Sequence, residues 1–550
     1  MKRILALSLA LLLCMVLFLG GCSNDTPTDV PAEPTKGTNQ TAAPTAPSGS
    51  DDEPDSLIKL PIVDTTATFQ IWAYNQAANY GVMDFNDLEA WQELERRTNV
   101  HIDWILPPAA DLTTSLNLTL NSDQLPDSFM LYYSMLPGGL DKAIEDNYIT
   151  DITDLVNEYC PNYLAQISME DLAKGSRTDS GAIPGFFGIK RTVQPNWAGP
   201  IARKDIMDEL GIDTPYTLDD YHEMLVAFRD YGVECPTTIT NTGLEGYLMA
   251  AFDLPSGYWY QVNNVVHFAP IEDSFLEYVT LMRDWYNEGL IDRDFYTLSG
   301  YDAKNFNTAY TLTGKIALFN TTYQNIHAYM VQAAEGGDAE YELVAVPFPV
   351  KNLGDKRHIG STSQERWQSN IGTISPTCGD PVTLAKWYDY LFSDEGWILS
   401  SYGTGTAFTY DETGHPRGNE LIYNNPDGLT PYQAMNIYSM TPDIPTLYDW
   451  ERELLVTLND NALAAFDIWM QNDDNAYAMP SMIFPTVEES SRFAAIMGDV
   501  QTYITEMVVK FITGIEPLSK FEEFRQNIYN LGVEEAIAIK QAGLDRYNAR

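Results

Sequence analysis

Apolar and polar residues alternate along ATFQIWAY, which predicts a strand over Thr68–Ala73. The period then lengthens. Leu88, Trp91 and Leu94 recur at helical spacing, with Asn86 as the predicted N-cap and Asn99 as the end. Alternation returns in VHIDWI from Val100 to Ile105, and SFMLYY supplies a further strand after a turn at Pro126-Asp127. Strand, helix and strand in succession make a β-α-β unit, whose crossover leaves its strands parallel. The chain therefore begins as an α/β protein.

Farther along, helices are punctuated by residues with a local reason to stop or start them. A helix over Ile206–Leu210 ends at Gly211. Thr217 is placed to cap the next helix, with Asp220 three residues on, and Gly232 closes it. Leu218, Tyr221, Leu225 and Phe228 form its inner face. Phe275 to Asn287 is amphipathic and is closed by Gly289. Pro381 opens a helix bearing Leu384, Trp387, Tyr388 and Leu391, and Ser519 with Glu522 predicts a capping box near the C-terminus. IALFN and ELVAVPF read as strands between these helices. Trp91, Trp285 and Trp387 lie on inward helix faces and are assigned to the core. No internal repeat is visible.

The first residues follow a different rule. In MKRILALSLALLLCMVLFLGGCSND, Lys2 and Arg3 precede an apolar run from Ile4 to Leu19 and two glycines. A basic start, a short apolar segment and small residues at its end describe a secretory signal that is cut off. The run is shorter than the roughly 20 residues a membrane span needs. Leu19-Gly20-Gly21-Cys22 resembles the lipobox of bacterial lipoproteins, in which the cysteine is lipidated and becomes the first residue of the mature chain. Residues 1–21 are thus expected to be a lipoprotein signal peptide, with palmitate-type acylation at Cys22. Residues 22–56 are rich in Pro, Thr, Ser, Asp and Ala, cannot bury enough apolar surface to order themselves, and read as a tether.

Composition narrows the function. Lys+Arg 32 against Asp+Glu 77 gives a net charge of −45. Nucleic acid needs a basic footprint, so no nucleic-acid partner is expected. Cys160, Cys235 and Cys378 are far apart and form no metal-type spacing, and at most one disulfide is possible. No GxSxG, HExxH or phosphate-loop motif occurs, and Val226 stands where a zinc motif begun at His222-Glu223 needs its second His. QNDDN at 471–475 carries calcium-type oxygens without the EF-hand pattern and reads as a solvated loop. No metal and no cofactor are expected. Acidic pairs are so abundant that a glycosidase pair would not stand out by spacing, and that reading stays open.

Aromatic residues carry the positive signal, with Tyr 33, Trp 11 and Phe 22. Sugar rings stack their apolar faces on Trp and Tyr, while their hydroxyls need polar groups at the edge. Clusters of this kind fall just after strands. They nominate Trp72, Tyr74 and Asn75; Tyr132; Trp197 and Arg203; Trp259; Asn320 and Tyr323; and Trp367 as ligand contacts.

Several blocks then run in a recognisable order. They are IWAYNQ, QLPDSFML, YITDITDLV, IARKDIMDELGIDTPYTLDDYHEML, YVTLMRDWYNEGLIDRDF, LTGKIALFN, LVAVPFPV and WYDYLFSDEGWILSSYGTGTAFTYDETGHP, with TGIEPLSKFEEF and LDRYNAR closing the chain. In this order the chain resembles bacterial extracellular solute-binding lipoproteins of ABC importers, in the group of maltose- and oligosaccharide-binding proteins. The resemblance implies a two-lobed, periplasmic-binding-protein-like α/β fold with extra C-terminal helices. The chain would cross between lobes three times, near Pro195, Phe319 and Ser375. Lobe 1 is expected over 57–195 and 320–374, and lobe 2 over 196–319 and 375–550. The implied function is non-catalytic capture of an oligosaccharide in an interlobe cleft, as a monomer anchored to the outer membrane face and delivering to ABC permease subunits. A peptide or other non-sugar solute is the alternative ligand, and a surface glycosidase a more distant one.

Overall fold

A computed structural model describes residues 58–122, 124–297, 308–359, 365–410, 416–440, 444–457 and 459–550. The expected signal peptide, the acylated Cys22 and the tether lie outside the described residues. Among those described, no helix is long and apolar enough to cross a membrane.

Fourteen strands are described: β1 (Ala67–Ala73), β2 (Val100–Ile105), β3 (Ser128–Tyr132), β4 (Phe186–Lys190), β5 (Ala198–Arg203), β6 (Cys235–Thr237), β7 (Trp259–Val262), β8 (Val265–Phe268), β9 (Ile316–Thr322), β10 (Leu343–Ala345), β11 (Trp367–Gly372), β12 (Phe408–Tyr410), β13 (Pro416–Gly418) and β14 (Leu447–Tyr448). They form two principal sheets. The first has the order β14-β4-β11-β3-β1-β2 and the second β10-β5-β9-β6. β1 runs parallel to both β2 and β3, as the β-α-β reading requires. β11 is antiparallel between β3 and β4, and β5 is antiparallel to β9.

Each sheet has its own apolar core. The first gathers Phe69, Trp72, Trp91, Phe129, Phe186 and Trp387. The second gathers Tyr221, Phe228, Tyr278, Trp285, Phe319 and Trp469. Trp91, Trp285 and Trp387 are therefore core residues, as their helix faces required. Two sheets, two cores and a run of C-terminal helices make a two-lobed α/β protein.

The local punctuation holds where the chemistry is local. Thr217 accepts from the Asp220 amide while the Asp220 carboxylate accepts from the Thr217 amide, a reciprocal capping box. Gly211 and Gly232 end their helices at positive φ of 65° and 109°, a region open to glycine at no steric cost. Two expected caps differ. The helix near Asn86 begins only at Glu89, because Asn86 sits in a preceding turn. Its amide donates to the Ile102 carbonyl and its oxygen accepts from Trp104, so the side chain is used on β2. Ser519 lies in a short 3-10 turn, and the helix that follows, Phe521–Asn530, has no side-chain cap.

The lobe boundaries also differ from the expected ones. Residues of β9 and β10 hydrogen bond into the second sheet, so 320–345 do not join the first lobe. The chain does change lobes between β4 and β5, around Pro195. It returns after Ile359 and before β11, and crosses again between β14 and the helix Asp460–Trp469, which packs on the second core. Phe319 lies within β9 and Ser375 within the first lobe, its amide bonded to Asp127. The reason is pairing. IALFN looks alike whichever sheet it joins, and only its register with β5, Ala198 opposite Thr322 and Ala202 opposite Leu318, assigns it. Met482 and Phe484 then dip back into the first core before the helix Val487–Thr513 returns to the second. Arg546 and Arg550 complete the join by pairing with Asp179 of the first lobe at 2.5 and 2.6 Å.

Candidate binding cleft

A cleft of about 870 Å³ opens against the second sheet. Its walls include the start of β5, the end of β9, the loop Thr240–Gly246, the turn leading into β7, and the stretch around Asn475–Met479. Trp197 stands immediately before β5 and is 46% exposed. Its carbonyl accepts from the Tyr323 amide at 3.1 Å, which fixes the entry to β5 against the exit of β9.

Trp259 is the first residue of β7. It follows Gly257 and Tyr258, and Tyr258 has φ 71°. An aromatic residue in the left-handed region is a strained conformation, and such strain concentrates at functional sites. The Trp259 ring rests on Phe268 at 4.7 Å and Phe493 at 5.5 Å, so one side is supported by the core while the residue lines the cleft.

Asn320 lies in β9 opposite Pro200, and its Nδ2 donates to Glu245 Oε1 at 3.4 Å. Glu245 Oε2 accepts the Thr240 amide at 3.1 Å. The Glu245 amide donates to the Tyr278 hydroxyl at 2.9 Å, and that hydroxyl donates to the Gly243 carbonyl at 2.6 Å. The loop is thus tied to the helix Asp273–Glu288 beneath it. Gly243 has φ 74°, and a Cβ there would stand 2.6 Å from Ile512 Cδ1. The loop can lie this close to the helix Val487–Thr513 only with glycine at that point.

The far wall is anchored by a buried arginine. Arg357 donates to the carbonyls of Trp469 and Gln471 and stands 3.5 Å from the Asp473 carboxylate. The QNDDN stretch is a loop with Gln471, Asn472 and Asp474 exposed, as expected, but its middle residue turns inward. Asp473 is buried against Arg357, and Asn475 reaches the cleft at φ 51°. Glu365 closes the same side, accepting from the Ser481 amide at 3.1 Å.

Of the ten ligand contacts nominated from the sequence, Trp197, Trp259 and Asn320 line this cleft. Tyr74 and Tyr132 form a half-buried ring pair at 5.5 Å, at the C-terminal ends of β1 and β3 in the first lobe. The other five are occupied elsewhere. Trp72 is fully buried, its Nε1 donating to Ser115, because both faces of the first sheet are covered. Asn75 caps a 3-10 turn and donates to the Val82 carbonyl at 2.9 Å. Arg203 is buried, doubly bonded to Asp205 and stacked on Tyr341 at 4.2 Å. Tyr323 is in the second core with its hydroxyl on Glu453. Trp367 packs edge-on against Phe187 at 5.5 Å.

Sequence reasoning missed Glu245, Glu365, Asn475 and the Thr240–Thr242 hydroxyls. In a chain with so many acids and polar loops, none carries a distinguishing local signal.

A shallower hollow of about 440 Å³ lies at the opposite, N-terminal edge of β1 and β3, with Asp127 already accepting the Gln70 amide at 2.8 Å. Ligands in α/β sheets gather at the other edge. Among the described residues no three His, Cys, Asp or Glu side chains gather as a metal site. Cys160 and Cys235 are buried free thiols whose acidity burial suppresses, and burial pushes the Cys378 thiol up to about 11.

Two α/β lobes, a cleft walled by aromatic rings and amide groups, and helices added after the second lobe are the architecture of two-lobed solute-binding proteins. No protein-family model matches the chain. The fructooligosaccharide ABC transporter substrate-binding protein FusA of Streptococcus pneumoniae is 22% identical over 505 residues, 85% of this chain and 88% of the relative. Lipoprotein LipO of Bacillus subtilis is 24% identical over 277 residues, 48% of this chain and 52% of its own. Among solved structures, an HMO binding ABC-transporter associated solute binding protein from Bifidobacterium longum infantis superposes with a TM-score of 0.70 at 16% identity, covering 88% of this chain and 99% of that one. The chain is thus similar along most of its length to ABC transporter substrate-binding proteins, which are transport components and not enzymes.

Proposed function

We propose that the protein is the ligand-capturing component of an ABC importer and that its cleft takes an oligosaccharide. The observation that carries this reading is the joint placement of Trp197, Trp259, Asn320 and Glu245 in one cleft. Two indole rings offer apolar platforms for sugar faces, while the buried Glu245 carboxylate, oriented by Asn320 and the Thr240 amide, keeps lone pairs for sugar hydroxyls. The curated relative FusA is named for fructooligosaccharides, which supports a carbohydrate over a peptide.

The N-terminal pattern supports an anchored form. The signal would be removed, Cys22 acylated, and residues 22–56 would tether a monomer at the outer membrane face, within reach of the permease subunits. Tyr74 and Tyr132, at strand ends of the first lobe, would meet the ligand from the opposite side when the lobes close. Such closure around a ligand is a familiar hinge transition.

Isothermal titration calorimetry on the purified full-length chain in detergent tests the reading. Binding by a member of a panel of plant and microbial oligosaccharides is the expected result. Binding by peptides and by none of the sugars would overturn it.

A further inference from the structure

The oligosaccharide reading of the cleft leaves open which chemical class of glycan it accepts, and the charges around it bear on that choice. The ionisable acids or bases among the described lining residues, tyrosines aside, are Glu245 and Glu365. No Lys, Arg or His is among the described residues that line it. The stretch Gly360–Gln364, next to Glu365 but outside the described residues, reads Gly-Ser-Thr-Ser-Gln and holds no ionisable side chain. The remaining polar lining consists of neutral groups, including Thr240, Asn241, Thr242, Ser256, Asn320 and Asn475.

We propose that the cleft is specific for uncharged glycans and rejects uronic and sialic acids, with Glu245 and Glu365 as the discriminating residues. This rests on the oligosaccharide reading above. A carboxylate only accepts hydrogen bonds. A sugar hydroxyl can donate to it and form a charge-assisted bond. A sugar carboxylate cannot donate, so it would meet these oxygens as a second acceptor of the same charge. Like charges brought together in a partly desolvated site are a strong source of discrimination against a wrong ligand.

Two lysines stand near the cleft without being among its described lining residues: Lys190, at the end of β4, interacts with Glu365, and the Lys540 ammonium lies 6.0 Å from the centre of the Trp259 ring. Arg203 and Arg357, the buried arginines of the second lobe, are held by Asp205 and by Asp473 with backbone carbonyls. The net charge of −45 adds a repulsive field outside the cleft, screened over about 8 Å at physiological salt.

The test uses matched neutral and acidic sugars: galactotriose with trigalacturonate, mannotriose with trimannuronate, and lacto-N-tetraose with sialyllactose, extended by kestose and xylotriose as neutral members. Calorimetry on the full-length chain in detergent is expected to find a neutral member that binds. Acidic members are expected to bind at least about a hundredfold more weakly. In the E245Q/E365Q double variant the gap should narrow at least about tenfold, with the circular dichroism spectrum unchanged. An acidic sugar that binds the unaltered protein as tightly as the neutral ones overturns the proposal, and so does a gap that the double variant leaves intact. Absence of binding by every sugar in both sets overturns the oligosaccharide reading itself, a separate outcome.

Discussion

Tyr323 donates its hydroxyl to the carboxylate of Glu453 at the junction of the two lobes. The other oxygen of that carboxylate accepts the Tyr448 hydroxyl at 2.7 Å. Tyr323 follows β9 of the second sheet, and Tyr448 ends β14 of the first. All three side chains are buried, and burial, reinforced by the Glu453 charge, pushes both phenols well above their ordinary range. One carboxylate therefore ties a strand end of each lobe to the other.

Removing one donor should be felt globally. Tyr323→Phe is expected to lower unfolding free energy by about 1–2 kcal/mol, because it takes one hydrogen bond from a buried carboxylate. Glu453→Ala should cost more, about 3 kcal/mol, since it strands two buried hydroxyls and leaves a void. Urea unfolding followed by tryptophan fluorescence would show the order; equal effects of the two variants would contradict it.

The tryptophans separate into two groups with opposite phenotypes. Trp197→Ala should weaken sugar binding about tenfold or more while leaving the melting temperature nearly unchanged, because the residue is about half exposed and outside both cores. Trp72→Ala should cost about 3–5 kcal/mol of stability, because Trp72 is fully buried. Trp259→Ala should show both effects, since its ring supports Phe268 and Phe493 as well as lining the cleft. Calorimetric titration and thermal unfolding of the three variants side by side would settle the assignment.

The loop that carries Glu245 depends on its glycine. Gly243→Ala places a methyl against Ile512 at positive φ, and is expected to cost about 1–3 kcal/mol. Because the Tyr278 and Asn320 bonds must shift with the loop, ligand affinity should fall in the same variant. Ser256→Ala, on another wall of the cleft, is expected to leave stability unchanged.

Asp389 gives the protein a pH-dependent stability of unusual sign for an aspartate. It is fully buried, and burial pushes its carboxyl up to about 6 although the Tyr163 and Asn162 groups that donate to it pull the other way. A folded value above the unfolded one of about 3.9 means the native state binds the proton more tightly. Its contribution to stability is complete below about pH 4 and is lost as pH rises through about 6. The unfolding free energy of the natural chain minus that of Asp389→Asn should therefore decline between pH 4 and pH 6. A difference that stays flat across this window would refute the assignment.

Cys22 offers a cellular test. Cys22→Ala should abolish labelling by fatty acid and either release the protein into the medium or block its processing. Continued anchoring and correct cleavage of that variant would rule out the lipobox reading.

The residues explain which of these features were legible beforehand. Gly211, Gly232 and the Thr217–Asp220 box act within one turn of chain, so their sequence signals survive folding. The inward faces marked by Trp91, Trp285 and Trp387 survive too, because helical spacing alone puts them together. Trp72 was misplaced for the opposite reason. Alternation separates the two faces of a strand, but helices cover both faces of the first sheet, and Ile71, Trp72 and Ala73 are all fully buried. Glu245 became visible only when a loop 75 residues before Asn320 was brought against β9.

By itself, then, the sequence determined the α/β class, much of the punctuation of the helices and an aromatic-rich, acidic composition, and it carries the pattern from which a secretory start is expected. These follow from period, capping chemistry and charge, which act locally or sum over the chain. Only the tertiary structure decided which lobe takes β9 and β10, which tryptophans face the cleft, and which of many acids meet there. Those outcomes depend on strand register and on packing between segments far apart in the chain, where the local pattern is the same for either result.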